Sequence, residues 1–169
     1  MNFLHSATVA PAAKTVSSRR AALLYAALLT VMATAQLYSF DDFLKLVKSY
    51  GDISAVGGAY FVAAFIVTSE VLALPFLLRM SLSPAFRRVS MVLGLIAAAV
   101  WVKVAIWLTI QGTGSSNVGF LGTVVDVTPG WGAILVSLFL LSLAIWSVWG
   151  LRPRGMIKTL TRSVHGIDQ

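Results

Sequence analysis

Residues 55–78 read AVGGAYFVAAFIVTSEVLALPFLL, twenty-three apolar, small or uncharged residues interrupted by one acid, Glu70. A run of about 24 residues at ~1.5 Å per residue reaches ~36 Å, more than a ~30 Å hydrocarbon core. Three further stretches have the same character: residues 21–38, 89–110 and 131–150. The whole chain of 169 residues is 58% hydrophobic and 11% charged, with a mean hydropathy of +0.87. Lipid cannot satisfy open backbone groups, and the alternating pattern of barrel strands is absent, so these runs are helices. The expected fold is all-α: a polytopic membrane protein with a four-transmembrane-helix bundle in residues 19–150. A disordered N-terminal segment, 1–18, and a basic tail, 151–169, flank it.

The net charge of +7 reads first as topology. Lys14, Arg19 and Arg20 precede the first span, and Arg79, Arg87 and Arg88 separate the second and third. Arg152, Arg154, Lys158 and Arg162 follow the fourth. On the other side Lys45 and Lys48 are offset by Asp41, Asp42, Asp52 and Asp126. The positive-inside rule puts both termini in the cytoplasm of a cell (inner) membrane protein. Charges scattered over three membrane-flanking segments argue against nucleic acid as a partner. The lipid bilayer is the first partner, and Arg154, Lys158 and Arg162 repeat every four residues as a basic face for its anionic leaflet.

The chain has no cysteine, and its two histidines, His5 and His165, lie in the tails. Thiol relays and Cys-ligated metals are excluded, and no pair of intramembrane histidines can hold a haem. Neither a metal site nor a resident cofactor is expected, and a quinone or lipid contact stays open. Arg19 and Arg20, the apolar run and Ala33-Thr34-Ala35 also fit a cleaved signal peptide, against an uncleaved first span.

Between the first two spans lies a short interfacial amphipathic helix, residues 40–50. Phe40, Phe43, Leu44 and Val47 fall at i, i+3, i+4 and i+7, and charged residues occupy the rest of the surface. Ser39 is the expected N-cap, with Asp42 completing a variant capping box. The helix serves as a stiff connector, or as a lid or docking face. Residues 111–130 form the longest loop, whose apolar piece 118–125 is expected to fold back onto the membrane surface. Trp107, Trp131, Trp146 and Trp149 read as interfacial anchors, and Trp101 lies deeper.

A charge at the centre of a span costs about 2.5–3.5 kcal/mol on insertion scales and marks a candidate functional residue. Glu70 shares a helical face with Ala59, Ala63, Val67 and Ala73, small residues that let helices approach. It therefore points into the bundle. Lys103, in the third span, is the second candidate. Antiparallel geometry and the N-terminal lean of helical side chains allow an intramembrane Glu70–Lys103 ion pair. Against it stands helical phase: Gly94, Ala97 and Ala98 form the close-packing face, and Lys103 lies elsewhere.

The stretch Gln36-Leu37-Tyr38-Ser39-Phe40-Asp41-Asp42-Phe43, followed by Tyr50-Gly51, resembles the DoxX/MauE-like four-helix membrane proteins. That family commonly carries Lys-Leu, then Phe-x-x-Phe, then a Tyr before the second span, and a Glu within it, here Glu70. The likeness covers residues 20–110. The family's Lys stands here as Gln36, and Pro75-Phe-Leu-Leu78 replaces its usual Gly-rich end of the second span. The resemblance implies an accessory or assembly role beside a quinone-linked redox or maturation system, with a larger membrane or periplasmic partner, for a protein not itself catalytic. The alternative is a small proton-coupled transporter in which Glu70 titrates.

Overall fold

The structure, a computed structural model, describes residues 8–50, 58–111 and 117–152. Five helices follow one another: α1 (Val16–Tyr38), α2 (Phe40–Ser49), α3 (Gly58–Leu77), α4 (Pro84–Gln111) and α5 (Trp131–Leu151). Four of them, α1, α3, α4 and α5, are long and apolar enough to cross a membrane. They form a closed ring in which α1 lies between α3 and α5, and α4 lies between the same two. The short α2 packs on α3 and α1.

The expected disorder of residues 1–18 does not extend over residues 8–18. Thr15 and Ser18 form a reciprocal capping box, which starts α1 at Val16, five residues ahead of the apolar run. Such a box satisfies two backbone donors that a bare helix start would leave open. Before it, Thr8 pairs with Leu82 as an isolated bridge. Arg87 donates to the Thr8 carbonyl at 2.8 Å, and Arg79 donates to that of Pro11 at 2.9 Å. Residues 8–15 thus strap the end of the bundle where α1 and α4 begin and α3 and α5 finish. At this end α1 and α5 touch through their smallest residues: a Cβ placed on Gly150 would lie 2.1 Å from the Ser18 Cβ.

The end of α3 is unusual in two ways. Pro75 lies inside the helix and has no N–H for the carbonyl four residues back. One rung later, Phe76 N–H donates to Ser90 Oγ at 3.1 Å, and Ser90 Oγ donates in turn to the Leu72 carbonyl. A hydroxyl from α4 is thereby interposed between the two groups of that rung. Arg79 then takes a left-handed conformation, φ 57°. Met80 N–H reaches the Pro75 carbonyl at 3.0 Å and Arg79 N–H that of Phe76 at 3.1 Å, a Schellman stop in which Arg replaces the usual Gly. Above Pro75, α3 and α4 meet where a Cβ on Gly94 would stand 3.3 Å from that of Ala73.

At the opposite end α1 passes into α2 at Ser39. The capping role expected of Ser39 is not fulfilled: its side chain makes no cap hydrogen bond. Ser39 N–H donates to the Ala35 carbonyl and Phe43 N–H to that of Ser39. Ser39 is thus the single residue between the two helices, and its backbone serves both. Ser39 Oγ donates instead to the Ala35 carbonyl at 3.1 Å and accepts from Thr123 N–H at 3.3 Å. Asp42 pairs with Lys45 at 2.8 Å on the exposed side, a surface contact worth little. The amphipathic pattern does hold, with Phe43, Leu44 and Val47 buried and Phe40 set edge-on to Tyr60 of α3.

Residues 117–127 fold back, as expected, but into the mouth of the bundle rather than along the membrane surface. Val118 and Phe120 are buried. Asn117 knits the turn together: its Nδ2 donates to the Gly122 carbonyl and to Asp126 Oδ1, and its Oδ1 accepts from Gly119 and Val127 N–H. Gly119 (φ +86°) presses on the Tyr50 hydroxyl, and Gly122 (φ +60°) lies against Ser39 and the Gln36 backbone. Both positions require left-handed backbone in a space with no room for a Cβ. The Tyr50 hydroxyl donates to the Val118 carbonyl, and Trp107 Nε1 donates to the Tyr50 carbonyl at 3.0 Å. Burial raises the pKa of the Tyr50 hydroxyl, so it remains a donor. The basic helix expected within residues 151–169 lies outside the described residues beyond Arg152.

Candidate functional site

Glu70 is completely buried. It sits about 18 Å along α3 from Gly58 and about 10 Å from Leu77 at ~1.5 Å per residue, deep in the bundle as its small-residue face predicts. Trp101 Nε1 of α4 donates to Glu70 Oε1 at 2.7 Å. Gln36 Nε2 of α1 donates to the same oxygen at 3.4 Å, and to the Phe120 carbonyl at 3.1 Å. The Trp101 and Phe120 rings pack with centroids 5.0 Å apart. One carboxylate thus ties three spans together, and through Gln36 it reaches the loop that plugs the bundle.

The set of hydrogen bonds is incomplete. Glu70 Oε2 and Gln36 Oε1 are both buried acceptors without a partner. Both protons of the Gln36 amide are spent on Glu70 and Phe120, so the surplus is of acceptors: the site has room in its bonding for one more donor. Lower in the core, the Tyr25 hydroxyl donates to the Gly94 carbonyl at 2.7 Å, a separate polar tie between α1 and α4.

The Glu70–Lys103 ion pair does not form. Lys103 is exposed, and the one salt bridge among the described residues is Asp42–Lys45. Helical phase is the reason. Trp101 and Lys103 are two residues apart, about 200° around the helix at ~100° per residue. Burying Trp101 against Glu70 turns Lys103 outward, where a long stem carries its ammonium toward water.

Of the residues singled out from the sequence, the structure brings Gln36 and Glu70 into contact. Ser39, Phe43 and Tyr50 border the plug loop, and Phe40 packs on Tyr60 of α3 instead. Trp101 is the partner that sequence reasoning left undecided. Its signal was present: it follows Gly94, Ala97 and Ala98 at i+7, i+4 and i+3, on the close-packing face. The Phe120 carbonyl had no signal, because a backbone acceptor in a loop carries no residue signature. Among the described residues no three His, Asp or Glu side chains come together as a metal-binding group.

Fold and site together define a four-span helical membrane protein with one fully buried carboxyl held by an indole and an amide. No family model matches the chain, and neither the curated proteins nor the solved structures yield a match.

Proposed function

We propose that this protein is a non-catalytic integral membrane subunit or assembly factor of the DoxX/MauE-like kind. It serves a quinone-linked redox or maturation system in the inner membrane, with both chain ends cytoplasmic. The observation that carries this reading is how the buried polar groups are used. Gln36 joins Glu70 to the Phe120 carbonyl, so the intramembrane acid braces the plug loop and α2. Such bracing makes a rigid outer cap whose exposed side carries Asp41, Asp42, Lys45 and Lys48. A stiff charged cap is suited to orienting a larger membrane or periplasmic partner, because little ordering entropy remains to be lost on docking. Purification of the full chain in mild detergent should recover a complex well above monomer size, with a defined second protein in mass spectrometry. A protein that runs alone as a monomer and shows activity of its own would refute this assignment.

A second reading, a small proton-coupled transporter with Glu70 as the titrating group, is favoured by the surplus of acceptors at Glu70 Oε2 and Gln36 Oε1. It expects Glu70→Gln to abolish pH-dependent flux in proteoliposomes while leaving the amount of protein unchanged. Undiminished flux in that variant would remove it.

A further inference from the structure

At the end of the bundle where α1 begins and α3 finishes lies a cavity of about 330 Å³. Arg19, Leu23, Leu78, Arg79 and Ser81 contribute to its walls. None of its lining residues belongs to the Glu70 cluster, which sits about 10 Å farther along α3. Three features give it a chemistry. First, the Arg79 guanidinium is fixed: its terminal nitrogen donates to the Pro11 carbonyl at 2.9 Å, and its backbone is held by the Schellman stop. Its Nε is nonetheless buried without a partner, an expensive state for a charged group unless an acceptor arrives. Second, every charged side chain described at this end is a cation, from Lys14 through Arg79 to Arg152, and no acid there neutralises the pair. Third, Leu23 and Leu78 border the cavity and are about half exposed, 47% and 50%, on spans whose outward faces are apolar. An anion here would thus be flanked by hydrocarbon rather than by protein.

We propose that this cavity seats the phosphate of an anionic phospholipid from the surrounding leaflet, with Arg79 and Arg19 donating to it and Leu23 and Leu78 bordering its acyl chains. Guanidinium groups suit the task, since their planar donor fork matches phosphate oxygens. The residue 8–15 strap closes the side of the cavity away from lipid through Val9 and Ala10. A lipid, rather than free phosphate, is the occupant because Leu23 and Leu78 at the border of the site are half-exposed leucines that water would solvate poorly.

The test uses the purified full-length protein in detergent and native mass spectrometry. The probes are phosphatidylglycerol, phosphatidylcholine with the same chains, and inorganic phosphate. One phosphatidylglycerol should be retained preferentially over phosphatidylcholine. Arg79→Gly and Arg19→Gln should each weaken that retention at least tenfold, and Arg20→Gln, outside the cavity, less than twofold. Glycine suits the left-handed backbone at position 79, and Arg19 makes no side-chain contact on which the fold depends, so the two variants fail independently if folding is at fault. Equal retention of phosphatidylcholine would overturn the proposal. So would a loss with Arg20→Gln as large as with Arg79→Gly, which would mean diffuse surface charge. Inorganic phosphate competing as well as the lipid would assign the site to a free anion and overturn it as stated.

Discussion

Glu70→Ala is expected to destabilise the bundle by about 2–4 kcal/mol, measured as resistance to unfolding in a mixed-detergent titration. Two donors, Trp101 Nε1 and one Gln36 N–H, lose their acceptor in the apolar core. An unsatisfied buried donor costs about 1–3 kcal/mol, and the missing side chain leaves a void that adds to it. The Trp101 bond at 2.7 Å dominates, while the Gln36 bond at 3.4 Å is long and contributes less. Glu70→Gln should behave oppositely. The amide oxygen can keep the Trp101 bond, and the new NH2 replaces the unpaired Oε2 with a donor while Gln36 Oε1 still lacks one. This variant should match or exceed the original stability. A Glu70→Gln protein as unstable as Glu70→Ala would show that the carboxylate charge, and not the hydrogen-bond count, holds the site together.

The second large effect is expected at Ser90. Its hydroxyl receives Phe76 N–H and donates to the Leu72 carbonyl, beside the proline that interrupts α3. Ser90→Ala removes a donor and an acceptor from the same rung, so a loss of about 2–3 kcal/mol is expected in the same titration. Membrane-embedded side-chain hydrogen bonds often contribute only ~0.6 kcal/mol, because the separated helices find other partners. Here the partners are backbone groups next to Pro75, with fewer alternatives, which argues for the larger figure. The compensating variant is Pro75→Ala. It restores an N–H and frees α3 to close its own ladder, so the Ser90→Ala/Pro75→Ala double variant should recover at least ~1 kcal/mol over Ser90→Ala alone. Simple additivity of the two changes would show that the hydroxyl and the proline act independently.

Both expectations rest on side chains that cross between helices, and it is there that sequence and structure part. The number of spans, their order and the inward address of Glu70 follow from composition and phase. A 24-residue apolar run in lipid has only the helix open to it, and a small-residue stripe marks the face that packs. The amphipathic α2 was equally legible, since Phe43, Leu44 and Val47 repeat on one face. Gln36 was marked only as a motif position, and its burial on the stripe of Ala22, Tyr25, Ala26, Leu29 and Ala33 came from the structure. What sequence left open was which polar group meets which. Lys103 and Trp101 both lie on α4 within reach of Glu70 in height, and the choice between them depends on rotation about the helix axis. Charge favours Lys103, and packing favours Trp101.

Packing prevails because rotating α4 to bury Lys103 would expose the Gly94, Ala97 and Ala98 face that lets α3 and α4 approach. The same holds for Ser39, whose capping pattern is sound in isolation and idle once α1 runs on into α2. Sequence by itself determined the membrane class, the four spans, the short amphipathic helix and the buried position of Glu70, because each follows from local hydrophobicity and periodicity. Only the tertiary structure decided that the acid is held by an indole and an amide. Only there does a loop carbonyl close the site from above, an arginine stop α3 and a serine mend it. Those contacts join residues up to 84 positions apart, and their geometry is set by how closely the helices pack, a property no single stretch of chain encodes.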